Sequence, residues 1–68
     1  MFYDKFVELC KKHYVTPREV AVGVGLHRSA PYAWKNLGTK PSFRTIVRIA
    51  KFFDVPVDEI MALVEDEE

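Results

Sequence analysis

The sequence lacks most of the covalent and membrane-directed features on which small proteins can rely. It has one cysteine in 68 residues, so no disulfide can form within the chain. The simplest explanation of a single cysteine is that the protein lies in a reducing compartment and that Cys10 packs in the core. No apolar run reaches the length of a membrane span, and Asp4 and Glu8 interrupt the N-terminal apolar residues, which argues against a signal peptide. The domain must therefore fold by dense packing of its hydrophobic residues, 49% of the chain.

Residue patterns that carry catalysis or bind metal ions are also scarce. His13 and His27 have no cysteine, histidine or carboxylate at a metal-ligand spacing. There is no nucleophile with a base and an orienting partner, and no glycine-rich phosphate loop. We therefore predict no catalytic residue, no metal, no cofactor and no small-molecule ligand, and expect that the chain is not an enzyme.

The formal net charge of zero conceals an uneven distribution. Residues 1–53 hold ten basic and three acidic residues, a charge of +7, whereas residues 54–68 hold seven acidic and no basic residues, a charge of −7. This asymmetry suggests a basic face for a polyanion and an acidic tail that keeps the chain soluble. A solvated basic surface without a ligand is the alternative. We divide the chain into a domain over residues 1–64 and an acidic tail over residues 65–68.

Apolar residues recur at helical spacing, and no segment alternates as a strand would. The predicted helices cover residues 2–13, 17–24 and roughly 29–36, a fourth segment from the Ser42 cap to Phe53, and a fifth that starts at Pro56 and ends near Val64. In the fourth, Phe43, Ile46, Val47, Ile49, Ala50 and Phe53 form a wide apolar stripe. The sequence therefore predicts an all-α fold, a compact domain of five helices.

The second and third predicted helices are joined in a distinctive way. Thr16, Pro17 and Glu19 combine an N-cap, a proline at the first helical position and the partner of a capping box. Gly25 can adopt the left-handed conformation that ends a helix and turns the chain. Two short helices joined by a glycine-containing turn are what a DNA-binding helix-turn-helix requires.

At this point the sequence resembles a known family. The segment "VTPREVAVGVGLHRSAPYAWKNLGTKPSFRTIVRIAKFFDVPVDEI" is similar to the lambda-repressor-like helix-turn-helix domains of phage repressors and small bacterial regulators, the Xre type. The resemblance runs from about Phe6 to Met61. It implies a small transcriptional regulator that binds double-stranded DNA sequence-specifically, with its third helix in the major groove. It also implies a cytoplasmic protein, encoded by a bacterium or a phage.

Helical geometry predicts which side chains of the third helix face DNA. At about 100° per residue, a core-facing Pro31 brings Ala30 and Trp34 to the inner face. The outward set is Arg28, Ser29, Tyr32, Ala33 and Asn36, whose side chains suit base edges, thymine methyls or the sugar-phosphate backbone. Around it, we predict phosphate contacts from Arg18, Lys35, Lys40 and Arg44, and from the helix starts at Thr16 and Ser42.

Pro31 is the unusual feature of this predicted recognition helix. If the helix began at Arg28, the proline would lose a backbone hydrogen bond and crowd the carbonyl of His27. With Ser29 as N-cap, Pro31 falls in the first turn, where its missing N–H is not needed. The sequence therefore predicts a late helix start, with Arg28 reaching DNA from the turn.

Two further hypotheses remain open. One follows from two positions that differ from the family pattern, and the other from the apolar residues of the fifth helix. Pro17 stands where relatives often have a DNA-contacting glutamine, and Pro31 where they usually have isoleucine or valine. Both favour an interaction module of the same fold, antirepressor-like, that has lost base reading. The apolar run of the fifth helix is ambiguous: its inward members complete the core, while the remainder could form the contact of a homodimer that reads two half-sites about 34 Å apart. Its contact residues would be Ile60, Met61, Leu63 and Val64.

Overall fold

Five helices make up most of the part of the chain that the structure describes, residues 2–64 of a computed structural model. They are α1 (Phe2–Lys12), α2 (Pro17–Gly23), α3 (Ala30–Asn36), α4 (Phe43–Phe53) and α5 (Val57–Val64). Residues 2–64 contain no strand, so the predicted all-α, five-helix fold is confirmed. The predicted tail over residues 65–68 lies outside the described residues. None of the described helices is long and apolar enough to cross a membrane.

Helix α1 ends one residue earlier than the spacing predicts. Tyr14 adopts a left-handed backbone conformation with φ +58°, and the Val15 N–H reaches back to the carbonyl oxygen of Cys10 at 3.0 Å. This bond closes the end of the helix by satisfying a carbonyl in its last turn. Helical spacing places His13 on the apolar side of α1, but its side chain is exposed, and its ring centroid lies 4.7 Å from that of Phe53.

The predicted caps of α2 and α4 are confirmed. The Thr16 N–H donates to the Glu19 carboxylate at 2.8 Å, and Thr16 Oγ1 accepts from the Glu19 N–H at 3.1 Å, which completes a capping box. Ser42 Oγ accepts from the Thr45 N–H at 3.3 Å. Each contact satisfies a backbone donor that has no partner within its helix.

An aromatic cluster joins α1 to α3 at one end of the core. The ring centroids of Phe2, Phe6 and Trp34 lie 5.4 Å apart in each pair, and the indole meets both phenyl rings edge-on. Such edge-to-face pairs add a favourable term beyond burial. At the other end, α4 and α5 pack together, with Ile49 and Ile60 fully buried. The core therefore holds α3 through a single large side chain, Trp34.

The sequence predicts that Phe43 belongs to the core-facing stripe of α4, and this prediction is wrong. Its side chain is 64% exposed, whereas Ile46, Ile49 and Phe53 are buried. Helical spacing had placed Phe43 on the same face as these residues. Periodicity gives the direction of the Phe43 side chain, but none of the described elements covers the first turn of α4 at this position.

Cys10 is buried, as its predicted packing role requires, and the residue is 1% exposed. Desolvation by burial raises the pKa of Cys10 from 9.0 to about 11. Because the thiolate is the reactive species, we expect the folded protein to react with iodoacetamide at least roughly 10²-fold more slowly than the urea-unfolded chain. Equal rates in the two states would contradict this.

The same shift gives a direction for the effect of pH on stability. The unfolded chain loses the Cys10 proton near pH 9, before the folded chain does. The contribution of the Cys10 thiol to the free energy of unfolding is therefore fully present below about pH 9 and declines as the pH rises toward about 11.

Candidate nucleic-acid interface

The turn between α2 and α3 is fixed by backbone contacts and one long side chain. Gly25 has φ +88°, and the Leu26 N–H donates to the Ala21 carbonyl at 2.8 Å. Arg48 of α4 donates from Nη1 to the carbonyl oxygen of Val24 at 3.3 Å. A side chain at Gly25 would be strained by the positive φ and would approach the Arg48 guanidinium. The turn is thus tied to α4 as well as to α2.

Gly23 allows α2 to approach α4 closely just before this turn. A Cβ atom added to Gly23 would lie 2.5 Å from Cε1 of Phe52, well inside van der Waals contact. The Phe52 ring would have to move to admit any larger residue. Gly23 therefore leaves room for the Phe52 ring of α4 to pack against α2.

The start of α3 confirms the predicted late boundary. The helix begins at Ala30, with Ser29 in the N-cap position and Arg28 outside the helix. Pro31 lies in the first turn and is buried, so its missing N–H is harmless there and its ring contributes to the core. The proline is therefore compatible with a helix-turn-helix.

Ser29 does not cap α3 with its side chain, contrary to the predicted division of its hydroxyl between capping and contact. Its backbone is helical, with φ −88° and ψ −1°, and its side chain makes no capping hydrogen bond. Instead, Ser29 Oγ lies 2.8 Å from His27 Nδ1, and the Ser29 N–H donates to the same nitrogen at 3.1 Å. The imidazole thus accepts from the Ser29 N–H, whereas the Tyr32 N–H, which a capping hydroxyl would take, donates to the Ser29 carbonyl oxygen at 2.9 Å.

Helix α3 has one buried face and one open face. Among the described residues it packs against α1 and α2 only, and its buried residues are Pro31 and Trp34. Of the predicted base-facing set, Arg28, Ser29, Tyr32 and Asn36 are exposed, and Tyr32 is 67% exposed. Ala33 is half-buried, so it offers only part of its methyl group. Asn36 donates from Nδ2 to the Tyr32 carbonyl at 3.1 Å, which fixes the orientation of its amide.

The predicted phosphate-contacting side chains lie at the surface, in α3 and in the segments that precede and follow it in the sequence. Arg18, Lys35, Lys40, Ser42 and Arg44 are all exposed, as is Thr16. The Thr16 N–H is already bonded to Glu19, which leaves the hydroxyl proton as the donor that this residue can offer. Residues 16–53 carry seven basic side chains against the single carboxylate of Glu19. This carboxylate is itself held by the capping box.

The predicted dimer contact needs one correction. Ile60 is 0% exposed within a single chain, so it belongs to the core and has no surface to offer a partner. Met61, Leu63 and Val64 are half-buried and pack against the core from outside. Helical spacing placed all four residues on related faces, but it could not separate those covered by α1 and α4 from those left at the surface.

Two residues that structure the interface were missed by sequence reasoning. The sequence patterns predict no role at this interface for Arg48 or for His27. The Arg48 contact joins residues 24 positions apart, so no local pattern reveals it. The contact of His27 with Ser29 spans two residues, and a histidine two positions before an N-cap serine is a signal that could have been considered. Among the described residues, no group of three or more histidine, cysteine or acidic side chains could hold a metal ion.

Comparison with known proteins gives matches consistent with this geometry. The family model described as helix-turn-helix matches residues 8–60. The chain is 32% identical over 62 residues to the cryptic phage CTXphi transcriptional repressor RstR of Vibrio cholerae, covering 91% of this chain and 56% of that protein. It is 29% identical over 66 residues to the uncharacterized HTH-type transcriptional regulator YobD of Bacillus subtilis (strain 168), covering 97% of this chain and 59% of that protein.

The chain thus spans little more than half the length of these curated relatives. No solved structure matches it with significance. The family match extends from within α1 to within α5 and includes the capped α2, the Gly25 turn and α3. The chain therefore belongs to the helix-turn-helix family, as a domain of the lambda-repressor-like type.

Proposed function

We propose that this chain is a sequence-specific DNA-binding domain of a transcriptional regulator and that α3 enters the major groove. The observation that carries the proposal is the open face of α3. The helix is anchored by Pro31 and Trp34 and leaves Tyr32 exposed, next to the exposed Arg28 and Ser29 of the preceding turn. An exposed helix that is braced by a second helix across a tight turn is the geometry that major-groove reading requires.

The exposed side chains supply chemistry for direct readout. From the turn, Arg28 can form two hydrogen bonds with the O6 and N7 atoms of guanine. The half-buried Ala33 methyl suits contact with a thymine methyl, and Tyr32 can reach a phosphate or pack on a sugar. We therefore assign Arg28 the largest share of base discrimination.

Basic residues on either side of α3 supply the sequence-independent part of binding. Arg18 lies in α2, Lys35 in α3, Lys40 in the following loop and Arg44 in the first turn of α4. Each can neutralise one phosphate and release its condensed counterions. Thr16 and Ser42 add polar groups beside them. This distribution supports a duplex lying across α2, α3 and the start of α4.

The names of the relatives support a role in transcription. One is described as a phage repressor and the other as an HTH-type transcriptional regulator. We infer that this chain regulates transcription in the cytoplasm, with repression favoured by the first relative.

Selection from a random-sequence duplex library at about 0.1 M salt tests the proposal, because surface charge still acts at this ionic strength. We expect the wild-type chain to enrich a defined sequence. Arg28→Ala should lose roughly 10-fold or more in affinity for that sequence, because a bidentate arginine–guanine contact contributes about 1 to 3 kcal/mol to discrimination.

Lys12→Ala is the matched control, because it also removes an exposed cation, but one that lines the groove between α1 and α5. It should keep the wild-type enriched sequence. Enrichment that survives Arg28→Ala unchanged would move the site elsewhere. If the wild-type chain enriches nothing, the antirepressor-like interaction module becomes the favoured function.

We also propose that the DNA-bound form is a homodimer through the half-buried apolar residues Met61, Leu63 and Val64 of α5. Two copies related by two-fold symmetry would read half-sites about 34 Å apart. Sedimentation at high micromolar concentration, with and without the enriched duplex, tests this. A monomer under both conditions refutes it.

A further inference from the structure

The contact between His27 and Ser29 fixes the direction of a hydrogen bond at the start of α3. The Ser29 backbone N–H lies 3.1 Å from His27 Nδ1. A backbone N–H can only donate, so Nδ1 is the acceptor and carries no proton. The neutral imidazole therefore holds its proton on Nε2.

This tautomer determines what the Ser29 hydroxyl does. Ser29 Oγ lies 2.8 Å from the same unprotonated Nδ1. Two acceptors cannot bond to each other, so the hydroxyl must donate its only proton to the imidazole. Ser29 Oγ then retains two lone pairs and has no proton left for a ligand.

An acceptor-only hydroxyl reads fewer bases than a free serine does. A serine with a rotating hydroxyl can donate or accept and so tolerates several base edges. In the major groove, the donors are the N6 amino group of adenine and the N4 amino group of cytosine. Guanine N7 and O6, thymine O4 and phosphate oxygens are all acceptors and would meet a lone pair.

Ser29 is positioned for such a contact. It is exposed, it immediately precedes α3, and it lies beside Arg28 and one turn before the open face that includes Tyr32 and Ala33. Since its side chain does not cap the helix, its lone pairs are not used by the backbone of α3.

Resting on the proposed function, we propose that His27 and Ser29 act as a unit in which Ser29 Oγ accepts a hydrogen bond from the amino group of adenine or cytosine. His27 is a positioning residue in this unit, because it acts through the orientation of the Ser29 hydroxyl. The pair excludes guanine and thymine at the base that faces Ser29.

Library selection with four proteins tests the base assignment: the wild type, Ser29→Ala, His27→Phe and His27→Asn. The wild type should enrich adenine or cytosine at one position of the site where Ser29→Ala removes the preference, by roughly fivefold for a single hydrogen bond. His27→Phe removes the acceptor and should admit guanine and thymine at that position. His27→Asn should retain the preference, because Asn Oδ1 stands close to the position of Nδ1 and can only accept.

Three results would overturn the proposal: a Ser29-dependent position that prefers guanine or thymine, a His27→Phe protein with an unchanged preference, or no position that depends on Ser29. Because His27 is exposed, its variants should remain folded, which thermal unfolding checks.

A measurement without DNA separates this inference from the proposed function. Long-range proton–nitrogen NMR spectra at pH 8 should show His27 as the Nε2–H tautomer in the wild type. The Nδ1–H tautomer would overturn the inference whatever the DNA result. The Nε2–H tautomer together with no enrichment by the wild type would refute the proposed function and with it the base assignment.

Discussion

Replacing Trp34 with alanine is expected to lower the free energy of unfolding by about 3 to 5 kcal/mol. The indole is 6% exposed and meets the rings of Phe2 and Phe6 at centroid distances of 5.4 Å. Its removal takes away the only aromatic anchor of α3 and leaves a cavity against α1. A domain of this length has a total stability on the order of 3 to 10 kcal/mol, so the substitution should remove a large fraction of it.

Urea unfolding followed by far-ultraviolet circular dichroism measures this effect without the tryptophan as a probe. Tyr32→Ala is the matched control, because Tyr32 is an aromatic residue of the same helix but is 67% exposed. Its effect should stay within about 0.5 kcal/mol. Trp34→Phe should fall between the two. Equal unfolding midpoints for Trp34→Ala and Tyr32→Ala would contradict the anchoring role of Trp34.

Specific DNA binding is expected to weaken by roughly 10²-fold for each bound chain, and so by roughly 10⁴-fold for the proposed homodimer, when the salt concentration rises from about 0.05 M to about 0.2 M. The reason is the number of candidate phosphate contacts. Arg18, Lys35, Lys40 and Arg44 are exposed and flank or belong to α3. About four neutralised phosphates per chain give a slope of log affinity against log salt near −3.6 for one bound chain and near −7 for the proposed homodimer. Fluorescence anisotropy with the enriched duplex measures the slope.

Single substitutions measure how much each residue contributes to this salt dependence. Lys40→Ala and Arg44→Ala should each make the slope less steep by about 1 per bound chain and weaken all sequences to a similar degree. Lys12→Ala should leave the slope unchanged, because Lys12 lies at the groove between α1 and α5. A slope near zero, or an equal effect of Lys12→Ala and Arg44→Ala, would contradict the proposed phosphate contacts.

Helix starts could be predicted from the sequence because the signals for them are local. Thr16 and Glu19 lie three positions apart and form the predicted capping box, and Ser42 caps α4 as expected. The late start of α3 can be predicted from a single proline, since a start after Ser29 places Pro31 in the first turn, where its N–H is not needed. Backbone chemistry of this kind depends on neighbours within one turn.

Coverage by other helices could not be predicted in the same way. Periodicity gives the direction in which a side chain points, but not whether another element lies there. For this reason Phe43 was assigned to the core and is exposed, and Ile60 was assigned to a dimer contact and is buried. The Arg48 contact with the Val24 carbonyl depends on how α4 packs beside the turn, and nothing local in the sequence encodes it.

The four prolines all lie within two residues of a helix start. Pro17 and Pro31 occupy the first and second positions of α2 and α3, and Pro41 and Pro56 come just before α4 and α5. A proline restricts the unfolded chain as well as the folded one, and each suitable proline contributes about 0.4 to 1 kcal/mol by reducing unfolded-state entropy. Together they would contribute about 2 to 4 kcal/mol, a large fraction of what a domain of this size can have. Part of the stability that holds α3 in place is therefore a property of the unfolded chain, and no contact in the folded structure accounts for it.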